Sequence, residues 1–198
     1  MSHSCSGIPP PATEQENTAP PPGMALGYYL RLAYDVARWD GPAIRRSARD
    51  TDSLFYGAVF CAITAALIFL ATALPRMLRD PAANQGKFLW ELVLGLLFVW
   101  LSLGLIAFVQ IGLCHLVAKW FLCGRGTWAG VTRPLLLGWF VNLLYAIPVI
   151  GPAAAAIAWT AVMARIFEEA DGISRLQGFL ICGGINAIFL AAQYILPH

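Results

Sequence analysis

The sequence predicts an all-α integral membrane protein, a five-helix bundle with an amphipathic helix at the interface before it. Three observations predict this class. With Gly counted as apolar and Tyr left out, roughly 65% of the 198 residues are apolar, against about 45–50% in soluble domains. Charged residues make up 12%, about half the soluble norm. Long charge-free runs follow Ser53, and a soluble chain of this length has no core large enough to bury them.

Charge is concentrated near the start. Residues 1–53 hold 11 of the 24 charged side chains. The net charge of +2 makes no electrostatic case for nucleic acid as a partner. Residues 1–23 are polar and proline-rich, with Pro9-Pro10-Pro11 and Pro20-Pro21-Pro22. Such a segment cannot bury enough apolar surface to offset ordering, so it reads as a disordered tail. The first apolar run lies behind it, unlike a cleavable signal peptide.

Residues 24–40 have helical periodicity. Leu26, Tyr29, Leu30, Ala33, Val36 and Ala37 share one face, Arg31, Asp35 and Arg38 the other, and Tyr28, Tyr34 and Trp39 flank the apolar side. This is the pattern of a helix lying on a membrane surface, with packing against the protein's own helices as the alternative. Gly41-Pro42 is expected to end it.

The membrane domain is expected over residues 41–198, with spans at about 54–74, 88–116, 132–147, 149–167 and 175–196. The first, Leu54–Leu74, covers about 31 Å, one hydrocarbon thickness. Asp52 or Ser53 is expected to cap it and Pro75 to end it. Ala58, Ala62 and Ala66 form a small-residue stripe for helix contact, as Gly95 and Gly104 do in the second span and Gly183 and Ala187 in the last. The charge-free run Pro134–Ala164 is too long for one span and short for two. Pro148-Val149-Ile150-Gly151-Pro152 breaks it into two short helices, either two spans or a re-entrant hairpin. Ser174 and Gln177 form a capping-box pattern before the last span. Eight Lys and Arg fall on one side (Arg45, Arg46, Arg49, Lys119, Arg125, Arg133, Arg165, Arg175) and three on the other (Arg76, Arg79, Lys87). That asymmetry predicts a cytoplasmic N-terminus and an outside C-terminus.

Chemistry-bearing residues are few. The five cysteines include no CxxC pair, and Cys114-His115 with Cys123 falls short of a four-ligand zinc site. Gly124-Arg125-Gly126-Thr127 lacks the lysine of a phosphate loop and reads as a flexible loop. Glu168, Glu169 and Asp171 read as a solvated helix end with local ion pairs. HExxH and GxSxG are absent. No enzyme activity, metal or cofactor is therefore expected. An intramembrane enzyme using His115 and a cysteine ranks last. Mid-membrane ionisable residues, the mark of pumps and carriers, are scarce too.

The order of motifs in the second half carries a resemblance. His115-Leu116, Lys119, Gly124-Arg125-Gly126, Pro148-Val149-Ile150-Gly151 with Pro152, Trp159, and Asp171-Gly172-Ile173-Ser174 together resemble the Yip family of polytopic membrane proteins (Ypt/Rab-interacting proteins). The likeness spans about residues 54–198 and is best over 110–178. It implies a five-helix membrane domain with a cytoplasmic N-terminus and no known catalysis. Eukaryotic members are linked to Rab GTPases and ER–Golgi traffic. This sequence departs from them in having Trp39-Asp40-Gly41-Pro42 where they carry a longer Asp-Leu-Tyr-Gly-Pro signature. It has Asp171 where the bacterial pattern has a histidine. The departures, with Arg outnumbering Lys eleven to two, favour a bacterial relative in the cytoplasmic membrane.

The expected function is a scaffold or adaptor. It would organise membrane or cytoplasmic protein partners at the cytoplasmic face of the lipid bilayer, with homo-oligomer formation left open. The alternative is a small transport, channel or lipid-handling protein, motivated by the broken Pro134–Ala164 segment.

Overall fold

The computed structural model describes residues 25–79 and 88–195. The proline-rich tail and Lys87 lie outside them. Among the described residues every regular element is helical: α1 Ala25–Ala37, α2 Gly41–Arg49, α3 Asp52–Arg79, α4 Phe88–Phe121, α5 Trp128–Gly138, α6 Gly151–Asp171 and α7 Arg175–Ile195. A 3-10 segment, Trp139–Ala146, continues α5. Two stretches are long and apolar enough to cross a membrane, Asp52–Ala73 and Leu92–Phe121, and only 22% and 6% of them is buried. The core helix of a soluble protein would be mostly covered, so these two turn apolar surface outward.

Local chemistry explains most boundaries, and several differ from expectation. Gly41-Pro42 does not end α1; it opens α2. The chain leaves α1 through Trp39 in the left-handed region (φ 66°), and the Asp40 side chain accepts from the Ala43 amide at 3.2 Å. Proline suits a helix's first turn, where its missing N–H costs nothing. Neither Asp52 nor Ser53 caps α3. Asp50 does so, accepting from the Asp52 amide at 3.1 Å and the Ser53 hydroxyl at 2.9 Å. Pro75 does not end α3, which runs on to Arg79. Just before it, the Thr72 hydroxyl donates to the Ile68 carbonyl at 2.8 Å. Such back-bonding bends helices and eases the ring past the preceding turn. α4 extends to Phe121, past the expected end at 116.

The centre of the bundle is the hairpin formed by α5, the 3-10 segment and α6. It packs against α1, α2, α3 and α7, whereas α4 touches chiefly α3 and α7. The expected break at Pro148 is present. Val149 takes a left-handed conformation (φ 69°) between the Ile150 amide and the Pro148 carbonyl, which are 2.8 Å apart. This is a strained γ-turn for a β-branched residue. Gly151 has no alternative there, because a Cβ would sit 2.3 Å from the Leu144 carbonyl oxygen. Pro148 and Pro152 are exposed at this tip, Pro152 in the first turn of α6.

The contact stripes are not all where the small residues suggest. α3 meets the hairpin through Ser53, Gly57, Phe60 and Thr64, all buried, while Ala58 faces outward. Their spacing is one helical face. Gly95 lies against the Phe69 ring as expected, but Gly104 has open space beside it. On α7 the close approach is at Gly178, against the Ala164 backbone, and Gly183 only touches Thr160; Ala187 is exposed. A Cβ on Gly57 would lie 2.7 Å from that of Leu136. Gly57→Val is therefore expected to lower stability by about 1–3 kcal/mol. Gly104→Ala should leave stability unchanged or raise it by up to about 1 kcal/mol. Thermal unfolding of both variants in detergent checks the contrast.

Candidate functional site at the charged end of the bundle

Charged side chains gather where α6 ends and α7 begins beside α2, and the sequence spacing explains how. Glu168 and Glu169 lie in the last turn of α6, three and four residues beyond Arg165, so both reach its guanidinium. Arg165 meets each at 2.6 Å, Arg175 of α7 meets Glu168 at 2.8 Å, and Arg45 of α2 contacts Glu169. Burial works against ionised Glu168, but its bonds to Arg175 and Arg165 outweigh that and hold its pKa below the usual value. Single exposed pairs of this kind are worth little. Joined, they link three helices. Gly41 permits the approach, since a Cβ there would meet Glu169 Oε1 at 2.6 Å.

A second hub fixes α1. Tyr29 donates to Asp50 Oδ2 at 2.7 Å and stacks on Tyr56 with ring centroids 4.0 Å apart. Burial, and then the Asp50 hydrogen bond, raise its phenol pKa. Arg133 of α5 donates to the carbonyls of Ala48 and Arg49 at 3.0 and 3.3 Å. It thereby serves the orphan carbonyls at the C-terminus of α2.

α1 itself has three faces, one of which packs against the protein's own helices. Tyr29, Leu32, Ala33 and Val36 are buried against the protein. The adjoining stripe of Leu26, Leu30 and Tyr34 is 57%, 57% and 51% exposed. Arg31 and Arg38 occupy the third face and are exposed. An apolar arc wider than the protein covers is left beside a charged face of Arg31, Asp35 and Arg38.

Beneath this layer lies a buried histidine–aspartate contact. His115 Nδ1 of α4 stands 3.4 Å from Asp171 Oδ2, and His115 also packs edge-on against Trp128 at 5.7 Å. The Gly124-Arg125-Gly126 loop is not loose. The Arg125 amide donates to the Asp171 carbonyl at 2.9 Å and the Gly124 amide to Ala118 at 3.0 Å. A Cβ on Gly126 would fall 2.2 Å from Asp171 Oδ1. Thr127 then caps α5 through the Gly130 amide at 3.1 Å. Asp171 is thus not part of a solvated acidic patch. Its neighbours Glu168 and Glu169 point to the rim while it turns inward, 1% exposed, with Oδ1 facing the loop and lacking a well-formed hydrogen bond. Gly172 follows at φ 72° as the left-handed end of α6. Ile173 is buried, and Ser174 and Gln177 form the expected capping box, with the Ser174 amide donating to Gln177 Oε1 at 3.0 Å.

His115, Gly124, Gly126, Gly172, Ile173 and Ser174 therefore meet at one end of the bundle, and Pro148, Gly151 and Pro152 at the tip of the hairpin. Trp159 lies between them, in a directed chain of hydrogen bonds that the sequence did not flag as one. Its indole N–H donates to Gln110 Oε1 at 3.2 Å, Gln110 donates to Asn186 Oδ1, Asn186 to Thr160 at 2.5 Å, and Thr160 to the Ala156 carbonyl at 2.8 Å. Because an indole only donates, it sets the orientation of both amides. The signal available was three neutral polar residues, Gln110, Thr160 and Asn186, in otherwise apolar runs.

Among the described residues no three His, Cys, Asp or Glu side chains gather as metal ligands. Cys114 is next to His115 in sequence but points to Cys182 of α7, both fully buried. Cys114 is thereby not set against the His115–Asp171 pair. No family model, curated protein or solved structure matches the chain.

Burial raises the Asp171 pKa, and the opposing pull of His115, the Gly126 amide and Lys119 does not cancel it. Between its unfolded and folded pKa the native state holds more protons, so the contribution of Asp171 to stability is greatest below about pH 4 and falls as pH rises through the raised value. Asp171→Asn is expected to remove that slope. Thermal unfolding of both proteins in detergent from pH 4 to 8 measures it; parallel curves would show that Asp171 ionises without cost.

Proposed function

We propose that this chain is a non-enzymatic integral membrane protein that acts as a scaffold or adaptor at the cytoplasmic face of a bacterial cytoplasmic membrane. The observation that carries the reading is the three-faced α1, clamped with α2 onto the charged end of the bundle. Its buried stripe fixes it to α3, α5 and the 3-10 segment, its outer apolar stripe suits the acyl boundary, and its arginines suit lipid head groups and water. α2 then presents Arg45, Arg46 and Arg49 on the water side, all exposed. The partners are the bilayer and membrane or cytoplasmic proteins. The motif order shared with the Yip family supports the same reading, as do the outward apolar surfaces of α3 and α4.

The topology that fits places the N-terminus and the charged end inside and the C-terminus outside. The hairpin is re-entrant in this reading. From Arg133 to Ile147 it rises about 24 Å and from Gly151 to Arg165 about 21 Å, short of the roughly 30 Å hydrocarbon layer. Its tip is wholly apolar and open, with Val149 94% exposed. A tip emerging into water would place Ile147, Val149 and Ile150 at a cost that a tip within acyl chains avoids.

One observation favours the second reading, a lipid-handling or transport role. A cavity of about 170 Å³ lies among α3, α4, the 3-10 segment, α6 and α7 beside the polar chain.

Photo-crosslinking from positions 45, 46 and 49 is expected to capture discrete proteins, and deleting residues 1–50 to abolish capture elsewhere on the inside loops. Interactions that survive the deletion unchanged would sink the adaptor reading. In a cysteine-free background, Val149→Cys should resist water-soluble maleimides from both sides of the membrane. Labelling from the outside would mean two full spans.

A further inference from the structure

We infer that the cavity beside the polar chain is a binding site for an uncharged, lipid-soluble ligand whose head is a flat ring bearing hydrogen-bond acceptors, the chemistry of a quinone. The inference rests on the bundle spanning the bilayer, which membrane fractionation tests separately.

The position comes first. Gln110 lies about 13 Å along α4 from Lys119, and Asn186 about 16 Å along α7 from Arg175. Both are close to the middle of a hydrocarbon layer about 30 Å thick. A ligand reaching them must be soluble in lipid.

The donor inventory comes next. Gln110, Asn142 and Asn186 all line the cavity and are all buried. Each side-chain amide carries two N–H groups. Gln110 gives one to Asn186, Asn186 one to Thr160, and Asn142 one to the Trp139 carbonyl at 2.9 Å. Among the described residues the second N–H of each has no protein acceptor. A buried N–H without a partner costs about 1–3 kcal/mol. The cavity thus offers unused amide N–H donors beside the unused Asn142 Oδ1; an acyl chain can satisfy none of these groups, whereas a ligand carbonyl can accept from the donors.

Charge and shape narrow the class. Every polar side chain lining the cavity is neutral, so a charged ligand would be desolvated without compensation. Trp139 and Trp159 meet edge to face at 5.0 Å and, with Phe189, form aromatic walls. Such walls favour a ring. A volume of about 170 Å³ accommodates a single ring.

The test is a titration of the full-length protein in detergent micelles with decylubiquinone, read by quenching of tryptophan fluorescence. Trp139 and Trp159 lie at the cavity wall and report directly. Wild type should show saturable quenching. Asn142→Leu removes a donor without touching the interhelical chain, and Ala156→Leu fills the cavity from α6. Each should weaken apparent affinity by roughly tenfold or more. Size-exclusion profile and far-UV circular dichroism confirm that each variant is folded, and either variant alone suffices. Undecylbenzene, a ring without acceptors, should not compete. Linear quenching identical in wild type and variants would mean partition into the micelle, and equal competition by undecylbenzene would mean a merely apolar pocket. Both results overturn the proposal.

Discussion

Close backbone approach around the α5–α6 hairpin is the constraint on which the other contacts depend. Gly57 of α3 lies against Leu136, Gly138 against Val36 and Val162, and Gly178 of α7 against the Ala164 backbone. At each point a side chain is missing where two helices meet, so dispersion contacts extend along the backbones themselves. Larger residues would hold the helices apart and lengthen every polar contact built across them. Hydrogen bonds between Gln110, Asn186 and Thr160 need heavy atoms within about 3 Å, and only helices seated this closely bring short amide side chains that near. In a lipid environment this matters more, because apolar burial between helices offers little drive over contact with acyl chains.

Polar groups are handled in two distinct ways along the bundle. At one end, Arg45, Arg165, Arg175, Glu168 and Glu169 form a shared, partly exposed network that ties α2, α6 and α7 together. Deeper in, the groups are neutral and linked in sequence, from the Trp159 indole to the Ala156 carbonyl. Asp171 stands between these regimes. It is buried like the second group and ionisable like the first, held by His115 and enclosed by a loop that only glycine at 126 allows so near. Placing charge at the rim and neutral amides at depth follows the cost of each in a low-dielectric medium. It also divides the proposed roles. Partner capture belongs to the charged layer and ligand binding to the neutral chain.

Features governed by neighbours along the chain were legible in the sequence. The capping box at Ser174 and Gln177, the break at Pro148 to Pro152 and the outward apolar character of α3 and α4 are of this kind. Local rules failed where two of them competed. Gly41-Pro42 stops one helix and starts another with equal ease, and the cap Asp40 decides between them. Pro75 sits inside a helix that continues to Arg79, just past the Thr72 hydroxyl's bond to the Ile68 carbonyl. The alanine stripe on α3 did not single out the face that meets the hairpin, because nearly every face of that helix is apolar and the pattern carries no rotational phase.

Composition and periodicity by themselves determined that this chain is helical, that its middle helix is broken, and that its charges lie near helix ends. Those properties depend on residues within a turn or two of one another, where φ, ψ and capping chemistry act. Tertiary structure decided which of three nearby acids is buried, that the Gly124–Gly126 loop encloses it, that α1 splits its apolar arc between protein and surroundings, and that Gln110, Thr160 and Asn186 form one chain. Each of these joins residues far apart in sequence, and no local propensity records a contact that exists only once the helices have packed.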